Sequence, residues 1–302
     1  MERALRLIFF NERGLRAGWR LVIFVAIFFC LALPVAIPLQ SISRKQAASG
    51  ALLPGLQIVG DGLTFVILLI ACWIMSRIEK RPMAMYGLPL EREPVLPRFI
   101  VGYVFWGFVP LSICLFALRV LHVFDFGHFA ISGVAMVIWG AKWFVGFLLV
   151  GLAEEYLLRG YALYTLADGI GFWPATIVLA VLFGLGHAPN PGETRIGVLA
   201  TVVFAVFASI TLRVTGSLWL AVGAHAGWDW GQSFFYGVSD SGLTAQGHLL
   251  SPSFHGPIWL TGGSVGPEGS IVTLILWIVM MLIVYLVYRK PRKPALVVTP
   301  AG

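Results

Sequence analysis

Val134–Gly160 reads VAMVIWGAKWFVGFLLVGLAEEYLLRG. From Val134 to Ala153 its only charged side chain is Lys142. About 20 such residues are what a helix needs to cross a hydrocarbon core of about 30 Å. The same run then takes in Glu154, Glu155 and Arg159 without losing its apolar character. Carboxylates are costly in a bilayer and are kept for a partner, a pathway or a reaction. This stretch is therefore read both as a membrane helix and as the first place to look for chemistry.

Outward from it the pattern repeats. Apolar runs precede it at Leu21–Leu39, Leu56–Met75 and Phe99–Leu121. The central run itself is read as a span over Val134–Leu158, and others follow at Phe172–His187, Ile196–Leu212, Ser217–Gln232 and Ile271–Tyr288. The expected fold is all-α, a polytopic membrane helical bundle of about eight transmembrane helices. Composition agrees: of 302 residues 59% are hydrophobic and 12% charged, against about 25% charged in an ordinary soluble domain. A soluble enzyme, a disordered chain and a collagen-like fibre are excluded. The first run meets Pro34 and Pro38 without a small-residue cleavage site, so it reads as a retained anchor.

The net charge of +7 is distributed in a way that sets nucleic acid aside. Arg3, Arg6, Arg13, Arg16 and Arg20 lie before the first run. Arg77, Lys80, Arg81, Arg92 and Arg98 follow the second, and Arg289, Lys290, Arg292 and Lys293 follow the last. Ser233–Ser270 contains no Lys or Arg, only Asp240 and Glu268. The positive-inside rule then places both termini in the cytoplasm and Ser233–Ser270 outside, as expected of a multi-pass protein of a bacterial cell membrane. Cys30, Cys72 and Cys114 form no metal-like cluster and read as small buried hydrophobes.

Some polar residues in the runs have plain explanations: Lys142 and Arg119 snorkel, and Asp61 is expected to cap the second helix. Others do not. Glu155 and Arg159 are four apart, on one helix face, and are expected to pair. Glu154 is rotated about 100° from Glu155, so it is left to face a cavity. His187 closes the apolar run Phe183–His187, and His225 stands one turn from Asp229. Glu154, Glu155, His187, His225 and Asp229, spread over three helices, exceed what helix gluing needs. Imidazoles with carboxylates activate water, by general-base catalysis or by holding a divalent metal. His122, His128, His248 and His255 fall in expected loops. A cytoplasmic turn soon after Arg159 would leave Glu154 and His187 at different depths, so the chain after Arg159 is expected to stay helical.

In this order Glu154–Gly160 as Glu-Glu-x-x-x-Arg-Gly, Phe183–His187 as Phe-x-x-x-His and His225–Asp229 as His-x-x-x-Asp resemble the CPBP family of intramembrane proteases, also called the Abi or CAAX-protease family. The resemblance covers roughly Trp139–Gln232. It divides the chain into N-terminal helices (1–133), a catalytic core (134–232), and an outer loop, last helix and basic tail (233–302). It implies an intramembrane endopeptidase acting on membrane-embedded or lipid-anchored peptides, with prenylated CAAX proteins as one family substrate. By position it implies Glu154 as the base that activates water and His187 as the group that places it. His225 with Asp229 would stabilise the oxyanion, and Glu155 with Arg159 would support them. The preferred mechanism has no cofactor; the alternative is Zn2+ held by Glu155, His187 and His225. Many family members carry Asn where Asp229 stands, and Asn offers donors that an ionised Asp lacks. An ion-coupled transporter and a non-enzymatic immunity-type protein are the other classes weighed. Against them stand the lack of internal repeats and the retention of every motif residue.

Overall fold

The structure, a computed structural model, describes residues 8–12, 14–89 and 94–287; Arg3, Arg6, Arg13, Arg92 and the basic tail from Tyr288 lie outside them. Among the described residues the bundle is built from α1 (Ala17–Ser49), α2 (Pro54–Glu79), α3 (Val95–Val120), α4 (Val134–Ile170), α5 (Phe172–His187), α6 (Arg195–Thr215), α7 (Trp219–Asp229) and α8 (Ile271–Val287). Five stretches are long and apolar enough to cross a membrane: Ala17–Pro38 of α1, and α2, α3, α4 and α6. Helices α5 and α8 are shorter apolar helices. The polytopic all-helical class is therefore the observed one. Strands are confined to short pairs.

The central run overshoots its span boundary, and the chain stays helical after Arg159 as expected. It does not stop at Leu158 but passes through a π turn, Leu158–Ala162, and continues to Ile170. The bend sits at Gly160, whose ψ of −127° is not helical. The stop comes at Gly171, where a φ of 89° suits glycine alone.

The two ends of the bundle differ in chemistry. At one end Arg20 of α1 bridges Glu79 of α2 at 3.4 Å and Asp168 of α4 at 3.0 Å, and Arg81 lies 3.7 Å from Asp168. Tyr161 donates to Glu79 there, and Arg213 of α6 covers Phe172 of α5. At the other end Ala51–Leu52 pairs in parallel with Thr244–Ala245, and Phe124–Phe129 pairs antiparallel with Leu250–Phe254. These pairs tie the long segment before α8 over the helix ends.

Helix α7 is the inner wall, packed against both α3 and α4. The contact with α3 is backbone on backbone. A Cβ on Gly102 or Gly107 would run into the carbonyl oxygens of Leu220 or Ala224, and one on Gly223 or Gly227 into those of Phe99 or Tyr103. Small residues at such spacing let membrane helices approach closely. Gly227→Ala is expected to destabilise by about 1–3 kcal/mol, the usual cost of overpacking. The check is a lower thermal midpoint in detergent, with Gly186→Ala, where a Cβ meets open space, as the unaffected control.

Candidate active site

Glu154 lies before the bend of α4, sixteen residues ahead of Ile170. His187 lies sixteen residues after Gly171 on α5, running back the other way. Glu154 and His187 line one cavity, and α7 brings His225 and Asp229 to the same wall.

His225 is the hub. Its Nδ1 lies 2.9 Å from Glu155 Oε1, and its Nε2 lies 3.7 Å from Glu154 Oε2 and 3.5 Å from Asp229 Oδ2. An ionised carboxylate only accepts hydrogen bonds, so Nδ1–H donates to Glu155, while Nε2 faces the other two acids. Glu155 is fully buried and also takes Arg159 Nη1 at 3.4 Å. The Arg159 guanidinium is itself buried, 4.7 Å over the Phe183 ring. Phe204 meets the imidazole of His225 edge to face, ring centroids 5.1 Å apart. Such fixed neighbours hold the ring's orientation.

The two adjacent glutamates therefore have different surroundings. Glu155 is enclosed behind His225. The side chain of Glu154 is 33% exposed and lines a cavity of about 450 Å³ together with His187, His225 and Asp229. His187 Nδ1 contacts Phe183 O one turn back at 2.8 Å, which leaves Nε2 free of that contact. The apolar wall includes Phe147, Val150, Phe204 and Trp277.

The structure also draws in residues that the sequence did not single out for the site. Asp240 and Glu268, recorded there only as the acids of a loop, fold back over Asp229. Carboxylate oxygens of the three lie within 4.8 Å of one another. Ser233 Oγ donates to Asp240 at 2.7 Å, and Gln232 Nε2 donates to Glu268 at 3.1 Å. Burial and the nearby charge of Asp240 push the Glu268 carboxyl well above its ordinary range. Burial likewise raises Asp240, against the pull of its Ser233 hydrogen bond. The available signal was a segment that keeps two acids while excluding every Lys and Arg.

The expectation that Asp61 caps α2 is corrected. The N-cap of that helix is Leu53, and Asp61 lies two turns inside. It accepts a hydrogen bond from Gln57, which lines the cavity, and it is near enough to Glu154 and His225 to feel their charge. Nor does the structure gather Glu155, His187 and His225 into one ligand set. Glu155 serves the Nδ1 side of His225, and among the described residues the compact group of possible ligands is Asp229, Asp240 and Glu268.

Fold and site together are those of a polytopic membrane protein with carboxylates and imidazoles gathered around a cavity inside its helices. Residues 138–231 match the family described as type II CAAX prenyl endopeptidase Rce1-like. The matched stretch contains Glu154, Glu155, Arg159, His187, His225 and Asp229, and it is similar to a peptidase family of the membrane. A comparison with curated proteins returns no match.

Proposed function

We propose that this protein is an intramembrane endopeptidase that hydrolyses membrane-embedded or lipid-anchored polypeptides with water activated by Glu154. The observation that carries this reading is the split between the two glutamates. Glu155 is taken up by Arg159 and His225, whereas Glu154 presents a carboxylate to the cavity. A base must stand within reach of the proton that it removes, with a partner to orient the chemistry around it.

In the proposed step Glu154 accepts a proton from water as the water oxygen bonds to the scissile carbonyl carbon. The carbonyl π electrons move to oxygen, and the resulting oxyanion accepts from His225 Nε2–H and from Asp229 in its protonated form. Collapse of the tetrahedral centre expels the amine, which takes the proton back from Glu154. Glu155 holds Nδ1 of His225, so that Nε2 is the atom turned toward the reaction. The apolar cavity wall keeps bulk water from the developing charge, where fixed donors act most strongly.

Asp229 tests the oxyanion role. Asp229→Asn keeps the shape and supplies permanent N–H donors, so it is expected to retain substantial hydrolysis. Asp229→Ala is expected to lose about 10²-fold, the usual effect of removing one such donor. Parallel kcat measurements on an internally quenched peptide library in proteoliposomes decide the matter, and an inactive Asn variant sinks the role.

Metal dependence has its own test. With glutamate as the activating group, prolonged treatment with 1,10-phenanthroline or EDTA in detergent is expected to leave the rate unchanged. Loss of activity that stoichiometric zinc restores would establish a metal mechanism instead.

A further inference from the structure

We infer that the catalytic cavity is entered from the outer face of the membrane, so that its substrate is an exported or outer-leaflet-anchored polypeptide. Only the term substrate rests on the peptidase reading; the sidedness rests on where the cavity walls and the charges lie.

The first observation is the lining. Besides the helix residues already described, the cavity is walled by Leu52, Asn190, Pro191, Asp240, Ser241 and Leu243. All six belong to segments at one end of the bundle. Leu52 and its strand partner Ala245 are held together there, Gly242 packs on Pro191, and Gly192 packs on Ser264. Arg20, Glu79, Arg81 and Asp168, which mark the opposite end, contribute nothing to the lining.

The second observation is the charge of the two ends. The connecting segments at the cavity end, residues 50–53, 121–133, 188–194 and 236–270, contain no Lys or Arg. Four basic residues lie close by in the helices: Arg44 and Lys45 in the last turns of α1, Arg195 at the start of α6, and Arg119 near the end of α3, which pairs with Asp125 at 3.2 Å. The opposite end has Arg20, Arg77, Lys80, Arg81, Arg98 and Arg213 on the described helix ends and the loop after α2. Lys and Arg in short loops and near helix ends fix the cytoplasmic side. The basic end is therefore inner, and the cavity end faces out.

The chemistry of the walls agrees with an internal stretch of chain as the thing bound. Glu154, Asp229, Asp240 and Glu268 line the cavity, and no Lys or Arg does. A free C-terminal carboxylate would find no Lys or Arg there, whereas a neutral or basic segment would meet several carboxyl acceptors.

The test uses the full chain in intact cells. Cys30, Cys72 and Cys114 are replaced by alanine, and single cysteines are introduced as Ser241→Cys at the cavity wall, Ser264→Cys on the same loops, and Arg77→Cys at the basic end. A membrane-impermeant maleimide is expected to label Ser241→Cys or Ser264→Cys in intact cells, and Arg77→Cys at least ten times more after permeabilisation than before. Labelling of Arg77→Cys in intact cells, with the loop cysteines needing permeabilisation, overturns the inference. Repeating the labelling on Glu154→Gln makes it independent of turnover. Peptides released by the wild-type chain but not by Glu154→Gln are expected in the medium; their confinement to the cytoplasm also overturns it. If no Glu154-dependent peptide arises in either compartment, the peptidase reading fails and the labelling still decides the sidedness.

Discussion

Glu154→Gln is expected to reduce hydrolysis about 10³-fold, in the middle of the range for removing a general base, with membrane insertion and thermal midpoint unchanged. The amide keeps the size of the carboxylate, and loss of the charge strands no partner: His225, 3.7 Å away, keeps the carboxyl groups of Glu155 at 2.9 Å and Asp229 at 3.5 Å. The effect belongs in kcat, because the interaction lost is made as the water loses its proton. Single-turnover rates in proteoliposomes measure it. A Gln variant that cleaves at near-normal rate would remove the base from the mechanism altogether.

Arg159→Met is expected to act on the fold instead. Its guanidinium and the Glu155 carboxylate are both buried, 3.4 Å apart. Removing one partner leaves an uncompensated charge, at a cost of about 3–5 kcal/mol. The variant should fall in abundance and melt well below the parent. The double variant Glu155→Gln with Arg159→Met has no stranded charge, and the Gln Oε1 still accepts from His225 Nδ1. It should therefore recover most of the lost stability, since an apolar replacement of a buried pair is often close to neutral. Thermal unfolding of the two variants in the same detergent separates the cases. A double variant no more stable than Arg159→Met would show that the guanidinium matters through its packing on Phe183.

What the sequence made legible was local. Helix geometry alone separates Glu154 from Glu155 and puts Glu155 beside Arg159. Hydropathy alone places the apolar runs, and α5 begins and ends where its pattern does, at Phe172 and His187. The features that escaped depend on which segments meet. Nothing within Ser233–Ser270 shows that Asp240 and Glu268 return to Asp229, because that contact is made by the loop's path over the helix ends. Asp61 looked like a cap because its helix was started at Leu56, whereas Pro54 opens it and moves Asp61 inside. That α4 runs on past Arg159 follows from the depth of its acids, but the π turn that carries it has no composition of its own. The true stop, Gly171, looks in sequence like any other glycine.

The touching backbones of α3 and α7 bear on what can be exchanged between relatives. With no side chain between them at Gly102, Gly107, Gly223 and Gly227, a change in the tilt of α3 passes to His225 without a cushion. Yet α3 lies wholly outside residues 138–231, the stretch that matches the peptidase family. The recognisable part of the chain is therefore not an autonomous module. A chimera that imports only that stretch inherits the reacting groups without the surface that registers them, and α3 has to travel with it as one unit.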